Sequence, residues 1–238
     1  KKPILNNFLP SSVLYKGAGS KKGHGSVYVF TKDDKIGETF EEYIKNIHSS
    51  PKKSPVSKLY YIVETLKTVT DFVIALHDVN FLHLDLKPSN FLVTYTSQFE
   101  INPSSISVFD INSICKMGAT PVFAGTPGFN APELSGEIDS DDSLDTAITL
   151  KCDYYSIGAI FYYALFNTKY ENKKEETNFE TELLQCPFIE NSSCNGDPTL
   201  KSQIANFLRQ TLAFNSDERY NSASTMYQKL EDIQSRLL

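Results

Sequence analysis

The chain has 238 residues, 40% of them hydrophobic, a net charge of −6 and a pI near 5.3. That length fits one large or two small domains with a substantial core, and the acidic balance argues against a basic tail for nucleic acid. The longest apolar run, Ile157 to Phe166, is far below the ~20 residues of a membrane span. Cys115, Cys152, Cys186 and Cys194 show no CxxC spacing and no His-rich neighbours. They read as reduced thiols, which points to the cytoplasm or another reducing compartment.

In chain order, Ser12 to Tyr15 and Ser26 to Phe30 are short β-like segments, joined by a Gly/Lys/Ser-rich connection, Gly17 to Gly25, that reads as a hairpin turn. Gly17-Ala18-Gly19 and Gly23-His24-Gly25-Ser26-Val27 each match only part of G-x-G-x-x-G-x-V, and a lone glycine loop is weak evidence for a phosphate cradle. Residues 38 to 47 have helical spacing, with Phe40, Tyr43 and Ile44 on one face. Ser49 to Ser57 reads as a solvated loop. Leu59, Ile62, Val63, Leu66, Val69, Phe72, Val73 and Leu76 then recur at three- and four-residue steps, the stripe of a long buried helix.

That helix delivers the chain to Phe81-Leu-His-Leu-Asp-Leu-Lys-Pro-Ser-Asn-Phe-Leu-Val-Thr94. His83, Asp85, Lys87 and Asn90 lie between apolar segments, as in a polar loop held between a helix end and a strand. A plain turn would also use Asp and Asn for their geometry. The octet His-Leu-Asp-Leu-Lys-Pro-Ser-Asn resembles the catalytic loop of the protein kinases, H-R-D-L-x-x-x-N, in its Ser/Thr form with Lys two places after Asp. Leu84 stands where most of the family has Arg. Phe91 to Thr94 and Ile106 to Phe109 read as two strands around a polar turn containing Asn102-Pro103-Ser104-Ser105, followed by Asp110-Ile111-Asn112 where the family has D-F-G.

Further on, Phe123-Ala-Gly-Thr-Pro-Gly-Phe-Asn-Ala-Pro-Glu133 resembles the substrate-positioning end of a kinase activation segment and its A-P-E motif. Ser135 to Thr149 reads as a solvated acidic insertion. Asp153-Tyr154-Tyr155-Ser156-Ile157-Gly158 opens an apolar helix and is similar to D-x-W-S-x-G, with Asp153 expected to brace the catalytic loop. Lys169 to Glu180 reads as a surface loop, a helix follows from Leu200, and a last helix runs from Ala223 to Leu237. Arg219 is expected to pair with Glu133.

The resemblance implies an α+β, protein-kinase-like fold: a remnant of the small lobe and hinge strand over 1–32, and a mainly α-helical large lobe over 33–238. It implies transfer of the ATP γ-phosphate to a Ser or Thr hydroxyl of a protein, with ATP and Mg²⁺; the charge balance and the apolar run lengths add the expectation of no nucleic-acid partner and no membrane span. In it Asp85 accepts or orients the substrate proton, Lys87 neutralises the phosphoryl group, Asn90 and Asp110 hold the metal, and Leu92 joins Lys87, Asn90 and Asp110 in cofactor binding. Ile111 fills the apolar role of Phe, and Thr126 bonds near Asp85 and Lys87. Leu84 cannot pair with a phosphate, so apolar packing around Leu84 and Ile111 is expected to order the segment without phosphorylation at Thr120. The competing reading is a pseudokinase or scaffold, because no ATP-anchoring Lys and no glycine loop can be found; a small-molecule kinase fits Gly-Thr-Pro-Gly-Phe and Ala-Pro-Glu poorly.

Overall fold

The computed structural model describes residues 11–16, 27–32, 37–51, 53–95, 101–119, 121, 125–134, 148–171, 177–190 and 193–238. The expectations for the connection 17–25, for Thr120, for Phe123-Ala124 and for the acidic stretch up to residue 147 lie outside these. Two strands, β1 (Ser11–Lys16) and β2 (Val27–Lys32), pair antiparallel with Val13 opposite Phe30.

A strand that the residue pattern does not announce, β3 (Gly37–Thr39), comes next and leads into helix α1 (Phe40–Ser49). Thr39 and Glu42 form a reciprocal cap: the Glu42 amide donates to Thr39 Oγ1 at 3.2 Å and the Thr39 amide donates to Glu42 Oε2 at 2.9 Å. Thr-x-x-Glu is the sequence signal for such a start. Phe40, Tyr43, Ile44 and Ile47 are the buried face.

Helix α2 (Pro55–Asp78) begins earlier than its apolar stripe, because Ser54 caps it through the Ser57 amide and Pro55 occupies its first turn. All eight stripe residues, Leu59 to Leu76, are buried, each contributing about 1.5–3 kcal/mol. The helix stops where Asn80 turns left-handed at φ 63°. Three strands then frame the loop at 83–90: β4 (Phe81–Leu82), β5 (Phe91–Tyr95) and β6 (Ile101–Val108). Strand β5 lies between β3 and β6, and Phe91 faces Val108. The residues Asn102 to Ser105 belong to β6 and not to a turn; a register shift at Val93/Thr94 lets the longer strand pair with the shorter one. Strand β7 (Cys115–Lys116) pairs with β4.

Helix α3 (Leu150–Phe166) is capped by Thr149 and buried on nearly every side from Cys152 to Leu165, as suits the central helix of an all-round core. Against it pack α2 and α6 (Pro198–Thr211); α5 (Pro187–Glu190) lies between it and α2, α4 (Phe179–Leu183) packs on α6, and α7 (Ala223–Gln234) packs on α2 and α6. Lys169 to Glu180 is only partly a surface loop: Tyr170 and Phe179 are buried against each other, with ring centroids 5.9 Å apart. All four cysteines are free thiols. Among the described residues no helix is long and apolar enough to cross a membrane.

The seam between α2 and α7 carries a polar cluster. Lys67 Nζ donates to Gln234 Oε1 at 2.7 Å and lies 3.5 Å from Glu64 and 3.9 Å from Glu231. Asp71, half-buried on the same side, is pushed up to about 6, by burial first and by Glu231 and Glu64 against the pull of Lys67. A carboxyl raised this way favours the protonated fold, so its cost appears as pH rises from 3.8 to about 6 and is constant above. The full shift corresponds to about 3 kcal/mol, and solvent screening at a half-exposed site cuts this to about 1 kcal/mol. Asp71→Asn should therefore raise Tm by about 2–4 °C at pH 7 and leave it unchanged near pH 3.5. Thermal melting at the two pH values checks this, and an equal gain at both would refute it.

Candidate active site

The loop that follows β4 is held from below by one carboxylate. Asp153, in the first turn of α3 and fully buried, accepts from the His83 amide at 2.9 Å through Oδ2 and from the Leu84 amide at 2.9 Å through Oδ1. His77 Nε2, from the end of α2, donates to Oδ2 at 2.8 Å. Burial opposes charge on Asp153, but the His77 hydrogen bond and the nearby His77 and His83 outweigh it and hold the carboxyl below the usual range. The bracing expected of Asp153 is thus present in the geometry, and His77 is a partner the sequence did not disclose, since 76 residues separate the two. The His83 ring stands edge-on to Phe72 with centroids 5.9 Å apart. Burial pushes its imidazole below the ordinary value despite the opposing charges of Asp153, Asp85 and Asp110.

Anchored at 83 and 84, the chain turns left-handed at Leu84, φ 63°, with a side chain that is fully buried. For a leucine this conformation costs about 1–2 kcal/mol, and the two amide bonds to Asp153 fix it. The turn delivers Asp85 to a three-way contact. Thr126 Oγ1 donates to Asp85 Oδ1 at 2.6 Å, Lys87 Nζ donates to Asp85 Oδ2 at 2.8 Å, and Lys87 Nζ also donates to Thr126 Oγ1 at 3.0 Å. Asp85 is 4% exposed and the Lys87 side chain 21%, so the carboxylate sits at the bottom of the cluster and the ammonium at its mouth. Segment 125–134 is drawn in close: a Cβ on Gly125, at φ 71°, would lie 3.1 Å from the Leu84 carbonyl oxygen and 2.4 Å from Asn130 Cβ.

A single 3-10 turn, Pro88–Asn90, closes the loop. Asn90 Nδ2 donates to the Asp85 carbonyl at 2.9 Å, which fixes the amide and leaves its side-chain oxygen for another group. The Phe109 amide donates to the Asn90 carbonyl at 2.8 Å, so the end of β6 brings Asp110 beside Asn90. Asp110 is exposed and left-handed at φ 50°, and Asn112 Nδ2 donates to its Oδ1 at 3.0 Å. Asn112 lies in a 3-10 turn, from which its side chain orients the Asp110 carboxylate. An amide oxygen and a carboxylate are hard donors that suit Mg²⁺, which keeps its other positions for water and phosphate. Leu92 is half-buried on β5, opposite Thr39 and within reach of Gly37.

One expectation is overturned. Ile111 is 40% exposed, so it does not fill a buried apolar role, and of the pair Leu84 and Ile111 only Leu84 is packed. A short 3-10 turn over Ile111–Ser113 swings that side chain outward, a rotation that residue type cannot reveal.

A family model described as protein kinase domain matches residues 25–230. A protein of Acanthamoeba polyphaga mimivirus named a "putative serine/threonine-protein kinase" is 33% identical over 152 residues, covering 62% of this chain and 49% of the relative. Calcium/calmodulin-dependent protein kinase type 1 of Macrobrachium nipponense is 28% identical over 157 residues, 66% of this chain and 42% of that protein. Ribosomal protein S6 kinase alpha-3 of Homo sapiens is 29% identical over 152 residues, 63% of this chain and 18% of that protein. The chain thus spans half or less of the length of the curated relatives it matches.

Proposed function

The chain belongs to the protein kinase family, and we propose that it transfers the γ-phosphate of ATP to a serine or threonine hydroxyl of a protein substrate. The observation that carries this is the contact of Asp85, Lys87 and Thr126, a carboxylate, an ammonium and a hydroxyl from two distant segments within 3.0 Å of one another. An acceptor hydroxyl entering at the mouth of this cluster meets Asp85 as its proton acceptor and Lys87 as the cation that neutralises the transferring phosphoryl group. Such a reaction needs positioning and charge stabilisation more than covalent chemistry.

Asn90 and Asp110 would hold Mg²⁺, with Leu92 and Lys87 completing the nucleotide side. The metal ion, when bound, neutralises phosphate charge. The protein's own part is to fix the Asn90 amide through the Asp85 carbonyl and the Asp110 carboxylate through Asn112. Residues 1–32 are read as a small-lobe remnant with hinge strand and 33–238 as the large lobe, which leaves the residues that cover the phosphates outside the matched motifs.

The test is transfer from radiolabelled ATP to a mixed protein substrate with Mg²⁺, followed by phosphoamino-acid analysis. Label on serine or threonine supports the proposal. Label on tyrosine alone, or nucleotide binding with no transfer by the intact protein, would refute it.

A further inference from the structure

We infer that Lys169 is a specificity residue that selects acceptor segments carrying an acidic side chain next to the phosphorylated hydroxyl; this rests on the kinase reading above. Lys169 lies three residues beyond the end of α3 and is exposed. Its ammonium donates to the Pro127 carbonyl at 3.1 Å and sits 5.4 Å from the Phe129 ring centroid. Its stem lies over Gly128: a Cβ at that glycine, φ 88°, would be 2.7 Å from Lys169 Cδ and 3.0 Å from Lys169 Cβ. Three separate contacts thus seat one lysine along the segment 127–129.

That segment starts one residue after Thr126, whose hydroxyl is 2.6 Å from Asp85. Consecutive residues are about 3.8 Å apart, so an acceptor held at Asp85 has its immediate neighbours within reach of the Lys169 ammonium. Phe129 stacks edge-on with Tyr163 at 5.7 Å, and Glu41 and Lys45, the charges that act on the Tyr163 phenol, pair with each other at 2.8 Å. Among the described residues Lys169 has no carboxylate partner. One carbonyl occupies one of its three N–H donors, and the others can meet a carboxylate.

The test is fluorescence anisotropy of labelled peptides built around one serine, with Asp, Asn or Lys placed in turn at each neighbouring position. The intact protein should bind the best Asp peptide about three- to fivefold more tightly than its Asn counterpart, the size of an exposed ion pair. High salt should erase the difference. Lys169→Met, which keeps the stem over Gly128, should abolish the preference while binding the Asn peptide as before; Lys169→Arg should keep it and Lys169→Glu should turn it towards the Lys peptide. Equal binding of all peptides by the unaltered protein, or a Lys169→Met variant that weakens every peptide alike, overturns the inference. Transfer from ATP is measured on the same peptides: transfer without charge preference sinks this inference alone, and charge preference without transfer sinks the kinase reading alone.

Discussion

Replacing Asp85 with Asn is expected to lower phosphate transfer by about 10²–10⁴-fold, the usual contribution of a positioned general base. Asp85 is 4% exposed and accepts from Thr126 at 2.6 Å and Lys87 at 2.8 Å. Asparagine has the same volume and can still accept from Lys87 through its oxygen while its amide faces the Thr126 hydroxyl, so the loop keeps its shape. What is lost is the negative charge and with it the ability to take the acceptor proton. Nucleotide binding should change far less, since the metal is proposed to sit on Asn90 and Asp110 and not on the Asp85 carboxylate. Asp110→Asn should behave in the opposite way, because the exposed Asp110 carboxylate is the proposed metal ligand: the Mg²⁺ needed for half-maximal nucleotide binding should rise while Asp85, Lys87 and Thr126 keep their contacts. Steady-state kinetics and Mg²⁺ titrations of the two variants check the division of labour. Turnover within tenfold of the unaltered protein in the Asp85 variant would end the assignment.

Replacing Arg219 with Met is expected to destabilise the fold by about 3–5 kcal/mol, because Glu133 is left as a buried, unpaired charge. The two residues are 2% and 3% exposed, with Arg219 Nη1 at 2.6 Å from Glu133 Oε1 and Nη2 at 2.9 Å from Oε2. Arginine has five N–H donors. Here the remaining ones reach the carbonyls of Ala213 at 2.8 Å, Lys151 at 3.1 Å and Phe214 at 3.1 Å, so every donor is used. Lysine, with a compact ammonium, cannot copy this fork, and Arg219→Lys should also cost more than an ordinary surface change. Replacing both partners by leucine removes the unpaired charge but orphans three carbonyls, so it should recover only part of the loss. Urea unfolding with an unchanged m value measures this, and a loss of less than about 1 kcal/mol in Arg219→Met would show that the pair does not hold the fold. The consequence reaches the site: Glu133 and Pro132 end the segment that begins at Thr126, so a loosened pair releases the hydroxyl that holds Asp85.

Much of this was written in the chain. The stripe from Leu59 to Leu76 announced α2 because helical periodicity is a local property, and every one of those residues is buried. The octet from His83 to Asn90, Asp110 and the run from Gly125 to Glu133 marked the candidate site, because residue types at fixed spacing within single loops are legible without the fold. Capping signals were equally local: Thr39 with Glu42, and Ser54 before Pro55, set helix starts. Strand β3 was missed because three residues are too few to display an alternation. Tertiary structure alone decided which distant groups meet. His77 joins Asp153 across 76 residues and Lys169 crosses 42 to reach Pro127, whereas the meeting of Thr126 with Asp85 and Lys87 across 41 was already implied by the family motifs and only its distances came from the fold. The outward turn of Ile111 and the left-handed Leu84 and Asp110 are likewise settled by the bonds around them, since no residue type prescribes a strained backbone that its neighbours must hold in place.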